Sequence, residues 1–223
     1  MRRFAITPEA VAEGRVTFDA PQSRHLARAL RLRPGDTIIA SDGTGRDYTV
    51  RLDVVGARVT GIVLGEATGA AESPLAITLV QGVPKGDKME AIVRAAAERA
   101  ARWQRVAREA AKQCRRPVVP LVATPAPLAA CLETARDSDL ALCLWEGEAP
   151  PLAAALPAGP LRRAALLIGP EGGLDAEEVE SARRAGWQVA SLGARLLRTE
   201  TAGPAVIAIL QARFGDLGSD RGA

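Results

Sequence analysis

The chain has 223 residues, 48% of them apolar and 25% charged, with a formal net charge of +3. That composition is ordinary for a soluble folded protein and excludes disorder outside the Gly/Asp/Arg tail beyond Phe214; no apolar run approaches the roughly 20 residues of a membrane-spanning helix. Three widely spaced cysteines (Cys114, Cys131, Cys143) without a CxxC, and a single histidine, His25, exclude a disulfide framework and a zinc site and point to reduced thiols in a cytoplasmic protein with no metal and no membrane partner.

The N-terminal stretch Met1-Arg2-Arg3-Phe4 is basic, but Pro8 and Glu9 come before any apolar core, so no secretory leader is expected. Phe4–Ile6 and Val16–Phe18 read as strands and Gln22–Leu30 as a short helix. Arg33-Pro34-Gly35-Asp36 is a turn in which Pro and Gly set the dihedrals. Thr37–Ser41, the turn Asp42-Gly43-Thr44-Gly45, Tyr48–Val55 and Val59–Leu64 complete a small antiparallel barrel. The small, weakly apolar stretch Gly65–Ser73 reads as a linker ending at Pro74, which divides the chain into residues 1–70 and 74–223.

Beyond Leu75, strands and helices alternate. Strands are expected at Ile77–Val83, Val118–Val122, Leu140–Trp145, Ala164–Ile168 and Gln188–Leu192, and helices from Asp87 onward, at Pro127–Ala135, Asp175–Ala185 and Thr201–Phe214. Ala164–Ile168 is a continuous apolar run, as in strands buried on both faces, so this part is an open α/β domain with a mainly parallel sheet. Asp175 is placed to cap its helix and Glu178 to reach back to it. Met89 to Cys114 carries an apolar stripe at helical spacing (Met89, Val93, Ala96, Ala100, Trp103, Ala107, Ala110, Cys114). A single helix there would be about 40 Å long at 1.5 Å per residue, too long for a compact domain of this size.

Charge is uneven. Residues 21–33 hold Arg24, Arg28, Arg31 and Arg33 with His25 and no acid, and residues 85–116 hold ten Lys/Arg against four acids. Clustered cations raise the local potential and suit a polyanionic partner, while a solvated arginine-rich face is the plainer alternative. Aromatics make up only 3% of the chain, which favours shape and phosphate readout of folded RNA over base stacking.

Two apolar strands near the C-terminus run into Gly/Pro-rich turns. The first is Leu166-Leu167-Ile168-Gly169-Pro170-Glu171-Gly172-Gly173-Leu174 and the second Ser191-Leu192-Gly193-Ala194-Arg195-Leu196-Leu197-Arg198-Thr199-Glu200-Thr201-Ala202. Open α/β sheets bind ligands at the carboxyl ends of their strands, so two such loops in succession mark a site. The first turn lacks the Gly-Lys-Ser/Thr of a P-loop and the spacing of a dinucleotide turn, and alone it is equally a tight structural turn.

Together these two loops resemble the SPOUT-class RNA methyltransferases, and most closely the ribosomal RNA small subunit methyltransferase E family. His25-Leu26-x-Arg28-x-Leu30-Arg31 with Pro34-Gly35-Asp36 is similar to that family's N-terminal PUA-like barrel. Lys85-Gly86-Asp87-Lys88-Met89-Glu90 and Glu109-Ala110-x-Lys112-Gln113-Cys114-x-Arg116 are similar to its middle motifs. The resemblance implies an α/β fold of two parts: a PUA-like RNA-binding β-barrel, residues 1–70, and a SPOUT methyltransferase domain with a trefoil knot, residues 74–223. It also implies a homodimer, the cofactor S-adenosyl-L-methionine, and 16S rRNA of the small ribosomal subunit as partner, methylated at N3 of uridine 1498.

The implied cofactor site comprises Leu144, Leu167, Ile168, Gly169, Pro170, Glu171, Gly172, Gly173, Leu192, Gly193, Leu196, Leu197, Arg198, Thr201 and Ala202. Leu192, Gly193, Leu196 and Leu197 suit a flat adenine slot, although plain core packing is expected for one of Leu196 and Leu197. Gly169, Gly172 and Gly173 leave room for ribose and the methionine chain, and Trp145 and Leu144 line the same cleft. Arg198 is expected to stabilise the developing uridine anion and Glu200 to accept the proton or orient Arg198; an ion pair between them that only fixes the loop is the alternative. RNA contact is expected at Arg24, His25, Arg28, Arg31, Arg33, Lys85 and Lys88.

Two departures from the family pattern stand out. Gly203-Pro204 follows Thr201-Ala202 where a small residue is usual; Pro204 falls in the first helical turn, where its missing N–H costs nothing. Family members also carry an extra strand and loop between Ala95 and Trp103. A sheet strand is costly to lose, so the expectation is that these residues belong at this point and are missing from the sequence as it stands. A non-catalytic RNA-binding ribosome-assembly factor on the same scaffold is the rival reading, and the intact Arg198-Thr199-Glu200-Thr201-Ala202 argues against it.

Overall fold

The structure is a computed structural model that describes residues 1–68, 72–83, 89–114, 116 and 118–218. The chain divides into two compact units, Met1–Glu72 with Ala96–Ala123, and Ser73–Ala95 with Thr124–Ala223. No helix among the described residues is long and apolar enough to cross a membrane.

The first unit is a six-stranded sheet built from β1 (Arg3–Ala5), β2 (Val11–Ala12), β3 (Arg15–Thr17), β4 (Thr37–Ser41), β5 (Arg46–Val54) and β6 (Thr60–Thr68), in the order β1-β4-β5-β6-β3-β2. Pairing is antiparallel except between β1 and β4, which run parallel, a correction to the all-antiparallel expectation. Two register shifts in the β5–β6 ladder mark irregularities that re-aim the strands and increase their twist. Val16, Phe18, Leu26, Ile38, Val50, Leu52 and Val59 form the core inside. The expected linker is corrected at its start: β6 continues to Thr68, because Gly65–Thr68 complete the ladder opposite Arg46–Thr49.

Buried acids in this unit are satisfied. Asp47 accepts from Arg3 and from the Ser41 hydroxyl, and Asp42 accepts from the Thr44 amide and hydroxyl and from the Tyr48 hydroxyl. The helix expected at Gln22–Leu30 forms as α1 (Ala20–Arg24), capped by Asp19 and with Pro21 in its first turn, and continues as a π-helical turn over His25–Ala29.

Between Ala95 and Trp103 the backbone runs without interruption through one helix, α2 (Met89–Cys114), of 26 residues. The expected extra strand therefore has no counterpart among the described residues, and the single long helix is what forms. Its buried face keeps Ala100 and Ala107 of the expected stripe but departs from it at Trp103, Ala110 and Cys114, and the side chains of Met89, Val93 and Ala96 lie outside those described. Ala100 and Ala111 are buried and Gln104 and Ala107 half-buried, whereas Trp103, Ala110 and Cys114 are exposed.

Gln104 decides this register. Its side-chain amide donates to the Pro120 carbonyl and its oxygen accepts from the Val122 amide. Val118–Val122, expected as a strand, makes only an isolated bridge, Thr44 to Val118. Its amides are met instead by the Glu72 carboxylate, the Gly43 carbonyl and Gln104, and Pro120 has no N–H to give a ladder.

The second unit is the parallel α/β domain that the alternation implies. Strands β7 (Ala76–Gln81), β8 (Leu140–Leu144), β9 (Arg163–Ile168) and β10 (Gln188–Ala190) form a sheet in the order β10-β8-β9-β7, with every pairing parallel. The period of two divides the side chains cleanly. Leu140, Leu142, Leu144, Leu166 and Ile168 enter one core with Ala202, Val206 and Leu210; Cys143, Ala165 and Leu167 enter the other with Leu132, Val179 and Trp187.

Helix α6 (Thr199–Phe214) thus covers one face, and α3 (Leu128–Glu133) and α5 (Ala176–Arg184) the other, while the short α4 (Leu152–Ala155) was not legible in the sequence. The capping box of α5 is present in full, with Asp175 and Glu178 each accepting the other's amide. Helix α6 begins two residues earlier than expected, so Pro204 is its sixth residue, beyond the first turn, and the Glu200 carbonyl lacks its helical donor.

Candidate active site

Because β7, β8, β9 and β10 are parallel neighbours, their carboxyl ends lie along one edge of the sheet. Gln81-Gly82 leaves β7, Trp145-Glu146-Gly147 leaves β8, Gly169–Leu174 leaves β9 and Ser191–Arg198 leaves β10. The two loops singled out from the sequence therefore share an edge.

A polar node joins them. The Thr199 hydroxyl donates to the Gly169 carbonyl at 2.6 Å, and the Gln81 side-chain amide donates to the Thr199 hydroxyl at 2.8 Å and to the same carbonyl at 3.2 Å. The Gly82 amide donates to the Ile168 carbonyl at 2.7 Å, bringing the two backbones so close that a Cβ on Gly82 would stand 2.5 Å from the Pro170 nitrogen. Sequence reading missed both Gln81 and Thr199. The available signal was a polar residue at the end of a strand, and a hydroxyl inside the Arg198–Thr201 motif.

The first loop is further braced from β8. The Trp145 indole N–H donates to the Leu174 carbonyl at 3.2 Å, and the Gly173 amide closes a turn onto the Pro170 carbonyl. Gly173 has a φ of +74°, which an L side chain rarely adopts, and a Cβ on it would overlap the Glu146 carboxylate. A Cβ on Gly172 would meet nothing within 4 Å, so that side of the turn is open.

The second loop leaves β10 held at its root. Ser191 donates to the Pro150 carbonyl and accepts from the Leu152 amide, and its hydroxyl takes the Gly193 amide. Beyond Gly193 (φ +107°) the loop presents Leu196, 77% exposed, and Leu197, 43% exposed. Neither packs in the core, which corrects the expectation that one would. They leave bare apolar surface of the kind a flat heterocycle covers.

Arg198 is the N-cap of α6 and Glu200 lies in its first turn, where the helix dipole favours a carboxylate. Their side chains are 3.9 Å apart at the closest ion-pair atoms, and both are exposed. The pair is open to solvent and fixes neither group tightly.

The other expected cofactor residues divide by burial. Leu144, Leu167, Ile168 and Ala202 are buried core side chains and can face a ligand only through backbone; Glu171 and Thr201 are exposed and Pro170 and Leu192 half-buried.

In the barrel unit, Arg24, His25, Arg28, Arg31 and Arg33 are all exposed. Ion pairs among the described residues instead engage Arg3, Arg15, Arg46, Arg116, Arg136, Arg183 and Arg198. Arg24 and Arg28 line a cavity of about 410 Å³ with Ala27, Gly56 and Ala57. The π-helical turn between them ends at Leu30, and Arg31 follows in the left-handed region with φ +52°. Lys85 and Lys88 lie outside the described residues.

Comparison with known proteins matches the chain to two domain families. The RNA methyltransferase domain family matches residues 95–211, and the RNA methyltransferase PUA domain family matches residues 18–57. A ribosomal RNA small subunit methyltransferase E from Synechocystis is 33% identical, with 94% of this chain and 77% of that protein covered. The alignment runs over 234 positions, whereas 94% of 223 residues is about 210, so roughly two dozen positions of that relative have no counterpart here.

The crystal structure of the Neisseria gonorrhoeae enzyme of the same name, bound to S-adenosyl methionine, superposes with a TM-score of 0.82 at 33% identity, covering 97% of this chain and 99% of that one. A putative methyltransferase from Legionella pneumophila, in complex with the same cofactor, gives 0.80 at 26% identity over 96% and 98% of the two chains. With its two loops joined at the sheet edge and its PUA-type barrel in place, the chain belongs to the ribosomal RNA small subunit methyltransferase E family.

Proposed function

We propose that this protein transfers a methyl group from S-adenosylmethionine to N3 of uridine 1498 in 16S rRNA of the small ribosomal subunit, as a cytoplasmic homodimer. In this reading residues 1–70 form the RNA-binding domain and 74–223 the methyltransferase domain. The observation that carries it is the node of Gln81, Thr199 and Gly169. It ties the open first turn to the start of α6, which follows directly on exposed Leu196 and Leu197 and carries the solvent-open Arg198–Glu200 pair.

The residues present fit the cofactor. Leu192, Gly193, Leu196 and Leu197 offer an apolar surface for adenine, and the space over Gly172 admits the methionine chain. When bound, S-adenosylmethionine supplies a methyl group on a positively charged sulfur. The protein's part is to position the base and manage its proton. Arg198 donates from its guanidinium to a uridine carbonyl and stabilises the negative charge that grows as N3 loses its proton. The Glu200 carboxylate takes that proton. The base leaves its stack to reach the cleft, and Arg24, His25, Arg28, Arg31 and Arg33, with Lys85 and Lys88, hold phosphates.

The test supplies labelled S-adenosylmethionine and small subunits from a strain lacking this methylation. Label at uridine N3 is expected; absence of transfer would sink the proposal. Arg198→Ala and Glu200→Ala are expected to slow transfer at least about 100-fold with cofactor binding still measurable. Arg24→Ala with Arg28→Ala is expected to weaken rRNA binding and lower its salt slope by about 2.

A further inference from the structure

Glu146 has no part in the reading above, yet its position is singular. It follows β8, and β8 lies between β10 and β9 in the sheet, so its loop stands between the two site loops. The carboxylate rests on the backbone of Gly173, where a Cβ would overlap it. Glu146 is exposed, and no hydrogen bond or ion pair engages it among the described residues. Its neighbour Trp145 is committed to the Leu174 carbonyl.

S-adenosylmethionine is linear: adenine, ribose, then the sulfonium and its amino-acid chain. With adenine at the β10 loop and the amino-acid chain at the β9 loop, the ribose falls between them, at the end of β8. Ribose offers two adjacent hydroxyl donors there. A carboxylate has two acceptor oxygens and no proton to misplace, so it takes both. We infer that Glu146 is the ribose-binding residue of the cofactor site, accepting hydrogen bonds from the 2′ and 3′ hydroxyls. This rests on the cofactor reading above. Gly173 is required on the same account, since any side chain there would push the carboxylate away.

The experiment measures calorimetric affinities of the full chain, Glu146→Ala and Glu146→Gln for three ligands: S-adenosylmethionine, 5′-methylthioadenosine, which lacks the amino-acid chain, and the 2′,3′-dideoxy form of the latter. Glu146→Ala is expected to weaken the first two about tenfold and leave the dideoxy ligand unchanged, with Glu146→Gln in between because its amide keeps one acceptor. A residue that only shapes the turn would move all three ligands alike, which would overturn the inference. So would a loss confined to S-adenosylmethionine, which would assign the carboxylate to the amino-acid end. Unchanged binding in both variants would overturn it while the cofactor reading stands; failure of the unaltered protein to bind S-adenosylmethionine would overturn both.

Discussion

The Thr199 hydroxyl donates to the Gly169 carbonyl at 2.6 Å across 30 residues of chain, joining the loop after β9 to the first turn of α6. The same oxygen accepts from Gln81, so the ends of β7 and β9 and the start of α6 share one polar node.

Removing that oxygen takes one of two donors from the Gly169 carbonyl and one acceptor from the Gln81 amide, leaving only the longer Gln81–Gly169 bond across the node. Thr199→Val is expected to cost about 1–2 kcal/mol of stability and to weaken cofactor binding, whereas Thr199→Ser keeps both. Urea midpoints and calorimetric affinity of the three proteins check this; a Thr199→Val variant equal to the parent in both would show the node to be incidental.

Two glycines in this region carry opposite expectations. On Gly82 a Cβ would press on backbone atoms of Gly169 and Pro170, at 2.8 and 2.5 Å, and neither can yield without moving the loop. Gly82→Ala is therefore expected to destabilise by about 2 kcal/mol. On Gly203 a Cβ would meet the Leu79 methyls at 3.6 Å, ordinary van der Waals separation, and a helical Gly→Ala change gains about 0.5–1 kcal/mol. Thermal melts of the two variants should shift in opposite directions.

Cys143 is fully buried in the sheet, and burial pushes its thiol pKa up to about 11. Reactivity follows the thiolate, so Cys143 should resist alkylation at pH 8 in the folded protein. Exposed Cys114 and half-buried Cys131 should react first. Mass spectrometry after iodoacetamide treatment, with and without urea, distinguishes the three; early modification of Cys143 would contradict this packing.

Burial opposes charge on Asp42, but hydrogen bonds from the Thr44 hydroxyl and amide and the Tyr48 hydroxyl outweigh it and hold the carboxyl below its usual range. The folded pKa is thus lower than the unfolded one. The contribution is present above the unfolded value, about 4, and is lost as pH falls through the folded value. Asp42→Asn should lower the urea midpoint at pH 7, and its deficit against the parent should shrink progressively below pH 4. A deficit that does not change with pH would assign the effect to packing alone.

Much of this was legible in the sequence, and the misses share a cause. Ala164–Ile168 is apolar at every position, so a doubly buried strand followed directly from it, and Asp175 and Glu178 carry their cap in their spacing. Val118–Val122 has the same apolar look but no strand to join. Its amides go to Glu72, Gly43 and Gln104, partners far away in sequence that no local pattern indicates. Core packing was expected of one of Leu196 and Leu197 and both are exposed, since apolar character alone does not separate core from surface. Gln81 and Glu146 were missed because a single polar residue at a strand end has meaning only once the neighbouring strand ends are known.

Arg31 sits in the left-handed region at the end of the π-helical turn. An L side chain there costs about 1 kcal/mol that glycine would not incur. Glycine would ease the backbone but remove a guanidinium from the exposed basic segment. The position thus sets barrel stability against surface charge, and a single codon change moves the protein from one to the other. This chain stands on the side of charge.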